Sequence, residues 1–264
     1  MKENYLIAMV TDFGLKDGFV GTMKGVILGI NPSAKIVDIS HDISPQNIME
    51  ASYVLKSSSP YFPDGTIFLV VIDPGVGSAR KVIIIKTSRF LYLGPDNGVL
   101  SGIYNQKEDE IIEITDKTYF LPEISNTFHG RDIFAPVAAY LSTGISPYLM
   151  GVKTGNIKTI NNIDPFIDAQ NRVCGTIIYK DIFGNLITNL REDFFHKYGI
   201  DFKNINIKDR IINGLSNSYS EKSPGELLAI KGSSGYIEIA INQGNAGELL
   251  QAGIGDRFTV NSEQ

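Results

Sequence analysis

The 264-residue sequence predicts an α/β fold: an N-terminal, mostly parallel sheet flanked by helices over residues 1–165, then a smaller C-terminal β-barrel or sandwich over 166–264. Three observations carry this. Up to about residue 150, short β-branched runs alternate with segments of helical periodicity, the pattern of strand–helix–strand units. After Gly151 the chain turns to short strands separated by Gly, Asn and Ser turns, the pattern of a small barrel or sandwich. Between the two lies a polar, Asn-rich stretch over 152–171.

The elements follow in order. Leu6–Val10 is a strand, and Gly18–Ile30 is a helix with Phe19, Met23, Val26, Ile27 and Ile30 at helical spacing, stopped by Asn31-Pro32. Ile36–Ile39 is a short strand, and Pro45-Gln46 opens a helix that runs to Lys56. Thr66–Ile72 is the central buried strand, an apolar run too short for a helix. Val82–Thr87 and Phe90–Leu93 form a strand pair about a short turn, and Pro95-Asp96-Asn97-Gly98 is turn chemistry at the mouth of another helix. A helix spans Asp132–Leu141. In the second part the strands are Val173–Tyr179, Leu186–Leu190, Leu227–Ile230, Tyr236–Ile241 and Arg257–Val260.

Composition narrows the function classes. The formal net charge is −5 and Lys and Arg form no block, so nucleic acid is not an expected partner. No apolar run approaches the roughly 18 residues that span a bilayer. Leu6–Val10 has no small-residue cleavage site behind it and is a poor signal peptide. The single cysteine, Cys174, excludes an internal disulfide framework and a Cys-based zinc site, and its apolar surroundings make it a small core residue. His41, His129 and His196 show no metal-ligand spacing, so no metal is expected. A soluble, cytoplasmic protein is the expectation.

Four segments hold the candidate chemistry. Val70-Val71-Ile72-Asp73-Pro74-Gly75-Val76-Gly77-Ser78-Ala79-Arg80 stops a buried strand at an acid and returns an arginine. Ligands of open α/β sheets bind beyond the carboxyl ends of strands, which is where Asp73 falls, although an Asp-Pro-Gly turn is also a plain capping motif. Thr11-Asp12-Phe13-Gly14 follows the first strand without the spacing of a phosphate-binding loop. Asp12 either caps the next helix or accepts hydrogen bonds from vicinal ribose hydroxyls. His129, in Phe128-His129-Gly130-Arg131-Asp132, carries the side chain that titrates nearest neutrality, with Asp132 placed to cap a helix and Arg131 to pair with a neighbour. His41 reads as structural or supporting, and His196 as surface. In the C-terminal part, Asp181-Ile182-Phe183-Gly184-Asn185 and Ser233–Gln243 read either as hairpin turns and a strand or as a stacking face with polar readers.

Together these segments resemble one family over nearly the whole chain: the S-adenosylmethionine (SAM) hydroxide adenosyltransferases, or adenosine-forming SAM hydrolases, relatives of the fluorinase and chlorinase. The matching pieces are Thr11-Asp12-Phe13-Gly14 with Asp17-Gly18, Val71–Gly77, Gly94-Pro95-Asp96-Asn97-Gly98, Phe128–Asp132, Asp181–Asn185 and the Gly235–Asn242 strand. The resemblance implies that Asp73, Arg80 and His129 hold the attacking water and that Asp12 binds the ribose. It implies that Phe128, Phe183, Asn185 and Ser233 surround the substrate and that Asp181 faces the methionine ammonium. Glu238 and the backbone near Ile241 are further adenosine contacts on the same ground. The halogenases have a tyrosine at the histidine position and lack the arginine, so both residues here favour water over halide. The fluorinase's extra first-domain loop has no room between Tyr104 and Thr127. The implied reaction is in-line displacement at the ribose C5′ of SAM, with methionine as a neutral leaving group and no cofactor. A homotrimer with sites between subunits is implied as well. A chlorinase-like halide adenosyltransferase and a non-catalytic SAM or adenosine sensor are the rival readings.

Overall fold

A computed structural model describes residues 5–160 and 164–263 of the chain. The chain divides into two compact units, residues 1–160 and 161–264.

The first unit is built on a seven-stranded mixed sheet. Its strands are β1 (Leu6–Thr11), β2 (Lys35–Ser40), β3 (Ile67–Val71), β4 (Val82–Lys86), β5 (Leu91–Pro95), β6 (Glu110–Ile114) and β7 (Gly151–Thr154), in the order β2-β1-β3-β5-β4-β6-β7. β2, β1, β3 and β5 run parallel; helices over Phe19–Ile30 and Ile48–Ser58 join β1 to β2 and β2 to β3, and the chain reaches β5 from β3 by way of β4. β4 pairs antiparallel with β5 because the Thr87–Phe90 turn between them is too short for a crossover, and β6 and β7 extend the antiparallel side.

The sheet is covered on both faces, so β3 is apolar without alternation. On one face Ile7, Met9, Leu69, Val71 and Ile84 pack with α1 (Phe19–Ile30) and α3 (Ala135–Ser142). On the other, Ala8, Val10, Phe68, Val70 and Ile83 pack with Ala51 and Leu55 of α2 (Ile48–Ser58). Asn47 caps α2 by accepting from the Glu50 amide, so this helix starts beyond Pro45-Gln46.

One expected helix is absent. Residues 98–103 form successive turns after Pro95-Asp96-Asn97. The Val99 amide donates to the Asn97 side chain, Ser101 to the Gly98 carbonyl and Gly102 to Ser52 Oγ, so these donors are spent before a helical ladder can form. The Asp132–Leu141 helix is also modified. A wide π turn, Gly130–Phe134, precedes α3, whose Pro136 has no amide to donate to the Asp132 carbonyl. That carbonyl accepts from Leu121 instead, at 2.9 Å.

The second unit is an antiparallel, barrel-like sheet of eight strands: β8 (Phe166–Ile167), β9 (Val173–Lys180), β10 (Leu186–Arg191), β11 (Asp201–Ile207), β12 (Arg210–Asn213), β13 (Leu227–Lys231), β14 (Tyr236–Ile241) and β15 (Arg257–Glu263). The order is β12-β11-β15-β9-β10-β14-β13, with β8 beside β9. The Ser216 amide donates to the Ala229 carbonyl at 2.8 Å, tying the chain after edge strand β12 to the other edge, β13. Val173, Ile177, Leu186, Ile205, Ile239 and Phe258 form the core. α4 (Glu192–Tyr198) carries an exposed His196, and α5 (Ala246–Leu250) covers the core beside β14.

Phe68 is fully buried and meets the rings of Phe62 and Phe90 at 5.3 Å and Tyr92 at 4.9 Å. Phe68→Ala is expected to cost about 3–5 kcal/mol in urea-unfolding stability. A loss below about 1 kcal/mol would show that this aromatic cluster does not anchor the sheet.

Candidate active site

Asp73 lies two residues past the end of β3, and the turn after it folds Arg80 back onto it. The Val76 amide closes the turn on the Asp73 carbonyl, Ser78 bonds the Gly75 carbonyl through its amide and hydroxyl, and the Arg80 amide donates to Ser78 Oγ. Arg80 Nε donates to Asp73 Oδ1 at 3.0 Å and Oδ2 at 2.9 Å, and Nη2 donates to Oδ2 at 2.5 Å. The two side chains are only 6% and 5% exposed, and the guanidinium lies 5.1 Å over the Phe134 ring. A buried charge pair needs such multidentate geometry to offset its desolvation.

Arg80 Nη2 also lies 2.8 Å from His129 Nδ1. A guanidinium only donates, so Nδ1 accepts and a neutral imidazole carries its proton on Nε2. Burial, and then the Arg80 charge, lower the His129 pKa below its ordinary 6.5, against the opposing pull of Asp73 and Asp132. His129 is therefore held neutral, and both hydrogens of Nη2 are committed.

The loop before the π turn fixes His129. Asp132, fully buried, accepts from both the amide and hydroxyl of Ser125 at 2.7 Å and from Arg131 Nε at 2.5 Å. Burial raises the Asp132 pKa, but the bonds from Arg131 and Ser125 outweigh it and hold the carboxyl below its usual range. Asp132 thus gathers the loop that precedes it rather than capping the helix. Gly77 touches this loop from the other side. Its φ is +78°, and an added Cβ would lie 2.5 Å from the Asn126 carbonyl oxygen.

Asp12 sits on the turn after β1, where its Oδ2 accepts from the Gln46 amide at 2.8 Å. His41, buried beside it, places Nδ1 2.8 Å from Thr11 Oγ1 and Nε2 3.0 Å from Asp38 Oδ1, and its carbonyl accepts from the Gly14 amide. Phe13 and Phe128 meet edge to face at 5.8 Å, joining the Asp12 turn to the His129 loop.

In the second unit, Asp181, Phe183, Asn185, Ser233, Glu238 and Ile241 line one pocket of about 700 Å³. The Asp181–Asn185 segment is the β9–β10 hairpin turn. Asp181 Oδ1 accepts the Phe183 and Asn185 amides, and Oδ2 accepts Asn185 Nδ2 at 2.8 Å. Phe183 is 73% exposed at the turn's tip, a free ring face. Glu238, on β14, accepts from the Tyr219 hydroxyl at 3.0 Å. Burial, and secondarily Asp181, push the Glu238 carboxyl up against the opposing Tyr219 bond, and Tyr219 itself is pushed up to about 12, mainly by burial.

Sequence profiles described as the SAM hydroxide adenosyltransferase N-terminal and C-terminal domains match residues 7–151 and 175–259. An (R)-S-adenosyl-L-methionine hydrolase of Methanocaldococcus jannaschii is 37% identical over 270 residues, spanning 97% of this chain and 95% of the relative. The chain belongs to the SAM hydroxide adenosyltransferase family. The namesake of Thermus thermophilus is 30% identical over 92% of this chain and 94% of its own. A fluorinase of Nocardia brasiliensis is more distant, at 24% over 90% of each chain. The crystal structure of an uncharacterized conserved protein from Thermotoga maritima superposes with a TM-score of 0.86 at 38% identity, covering 96% of this chain and 99% of that one.

For this member of the hydroxide adenosyltransferase family, the structure joins Asp73, Arg80 and His129 in one hydrogen-bonded set. It places Asp12 and Phe128 on adjoining loops and gathers the six second-unit candidates around one pocket. Sequence reasoning missed Tyr219, whose hydroxyl reaches Glu238 across 19 residues from a Ser-rich loop without periodic signal. It also missed Ser125, whose only cue was standing seven residues before Asp132. Among the described residues, no group of three His, Cys, Asp or Glu is placed to hold a metal, and no helix is long and apolar enough to cross a membrane.

The His129 ring should titrate below 6.5 by NMR, and Arg80→Met should raise its pKa by removing a cation and freeing Asp73. The unfolded chain keeps the ordinary value, so it takes up the proton first. His129's contribution to stability is full above 6.5 and falls with pH from there until the native ring protonates. A ring titrating at or above 6.5 in the wild type would contradict the neutral assignment. Gly77→Ala should destabilise the protein by more than about 1 kcal/mol, because both the φ and the Asn126 contact oppose a side chain.

Proposed function

We propose that this protein hydrolyses S-adenosyl-L-methionine to adenosine and L-methionine, and that its substrate is the (R)-sulfonium epimer named in its curated relatives. The observation that carries the reading is the buried Asp73–Arg80–His129 set beyond the carboxyl end of β3. The reaction is an in-line displacement in which a water oxygen bonds to C5′, the C5′–S bond breaks, and the sulfonium's positive charge is neutralised as methionine leaves. The leaving group needs no acid, so the residues need only position and activate the nucleophile.

Bond geometry divides the work. Arg80 Nε and Nη2 are committed to Asp73 and His129, and Nη1 provides the donors for an oxygen that gains negative charge. His129 Nδ1 already accepts from Arg80, so in this state it orients the guanidinium and takes no proton there. Asp73 Oδ1 accepts from Nε alone and keeps a lone pair that can take the proton the water gives up as its oxygen bonds to C5′, leaving the neutral adenosine hydroxyl. Asp12 would bind the ribose hydroxyls, and the second-unit pocket would take the adenine, with Phe183 as a stacking face. The family resemblance supports a homotrimer whose sites form between subunits, an active site without a cofactor, and a cytoplasmic location.

The test is incubation with the separated sulfonium epimers, following adenosine and methionine by chromatography. Adenosine from the (R) epimer is expected, with Arg80→Ala lowering kcat by about 10²- to 10³-fold and leaving KM nearly unchanged. An unchanged rate in Arg80→Ala would remove the triad from the chemistry. With chloride added, 5′-chloro-adenosine in place of adenosine would favour the halide reading.

A further inference from the structure

His41 is a buried histidine that the water-positioning set does not use. Its side chain is only 2% exposed, and a ring with two polar nitrogens is costly to bury unless they are engaged. Nδ1 lies 2.8 Å from Thr11 Oγ1, and Thr11 is itself fully buried. Nε2 lies 3.0 Å from Asp38 Oδ1, close to it but not aligned as a hydrogen bond. Asp38 can only accept, so the ring turns Nε2–H toward it and Nδ1 toward the Thr11 hydroxyl. On its other oxygen Asp38 accepts from Lys24 Nζ of α1 at 2.6 Å. Burial raises the Asp38 pKa, but the Lys24 and His41 contacts outweigh it and hold the carboxyl below its usual range. β1 and β2 change register at this point, with Met9 opposite Asp38 but Val10 opposite Ser40. Irregularities of this kind re-aim side chains at a strand end.

The contacts converge on the turn that carries Asp12. The ring holds Thr11, the last residue of β1, just before the acid, and Thr11 Oγ1 accepts from the Phe13 amide at 3.4 Å just after it. The His41 carbonyl accepts from the Gly14 amide at 2.7 Å, where Gly14 takes a φ of +64° to close the turn. The Gln46 amide then holds Asp12 Oδ2 at 2.8 Å. The loop after β2 thus grips the turn on both sides of Asp12 and by its carboxylate, and His41 supplies the grip on both sides. A single bond on Oδ2 leaves the carboxylate able to accept from two vicinal hydroxyls. Holding it in advance spares the ordering that a mobile turn would lose on binding.

We infer that His41 is a positioning residue for Asp12, its ring and carbonyl fixing the Thr11–Gly14 turn so that the carboxylate meets a ligand's 2′ and 3′ hydroxyls in one orientation. It acts through Asp12 and touches no substrate. The inference rests on the proposed ribose-binding role of Asp12 and names what aims it.

Calorimetric titration of the full-length protein with adenosine and with 2′,3′-dideoxyadenosine tests this, alongside turnover of SAM. His41→Phe keeps a ring and removes both nitrogens. It should weaken adenosine about five- to fiftyfold and leave the dideoxynucleoside within about twofold of wild type, which a general loosening of the fold would not do. The KM for SAM should rise while kcat stays within about twofold, because the water-positioning set is untouched. His41→Asn returns a polar atom at the Nδ1 position and should recover most of the adenosine affinity. If melting curves show that His41→Phe does not fold, Thr11→Val removes the same hydrogen bond from the other end and should give the same pattern. Equal weakening of both nucleosides, or an unchanged adenosine affinity, in the folded variant overturns the inference. Asp12→Ala separates it from the reading beneath it. A selective loss of adenosine in Asp12→Ala without one in His41→Phe removes the positioning role alone. No selective loss in Asp12→Ala removes Asp12 from the ribose, and the positioning role with it.

Discussion

The Asp73–Arg80 ion pair is the constraint on which the first unit's site depends. Taking a carboxylate and a guanidinium out of water costs several kcal/mol per ion, and only multidentate hydrogen bonding offsets it. The 73–80 turn supplies that bonding, because Arg80 reaches Asp73 through Nε and Nη2 together. Removing one partner would leave the other buried and uncompensated, a loss of about 3–5 kcal/mol. The pair also sets the protonation of the third member. Arg80 can only donate to His129 Nδ1, so a neutral ring follows from the same contact.

The surroundings hold that pair in register. β3 is buried on both faces, so Asp73 projects from a strand end that cannot slide. Asn97 Nδ2 donates to the Ile72 carbonyl at 2.8 Å and ties down the backbone just before the acid. Asp132 draws Ser125 and Arg131 together, and its carbonyl, left free by Pro136, accepts from Leu121. π turns are rare, and they are frequent at functional sites. Here the residue just before the turn is His129.

The second unit applies a different logic. Its pocket is assembled from hairpin and strand chemistry, with Asp181 spending its oxygens on the turn that presents Phe183 and Asn185. The hairpin reading of that segment is met, and the same residues line the pocket. Glu238 stands in a strand otherwise made of Tyr, Ile and Ala, and this lone acid in an apolar run is the cue visible in one dimension. Its partner Tyr219 has no such cue, because no local pattern records a contact 19 residues away.

Sequence alone was enough for the strands with strong apolar runs and the order of α/β and β units, and it singled out Asp73, Arg80 and His129 as candidates that the structure brings into contact. Those depend on local periodicity and on residue chemistry, both of which are written in one dimension. It did not show β6 and β7, because short strands that complete a sheet draw their stability from neighbours rather than from their own composition. It placed a helix after Asn97 where side-chain acceptors capture the amides. Tertiary structure alone decided that Arg80 binds Asp73 and His129 at once, that His129 is neutral, and that Tyr219 and Gly232 clamp Glu238. Each is a matter of ångströms between residues distant in the chain, and burial, which no single-residue property encodes, gives these contacts their strength.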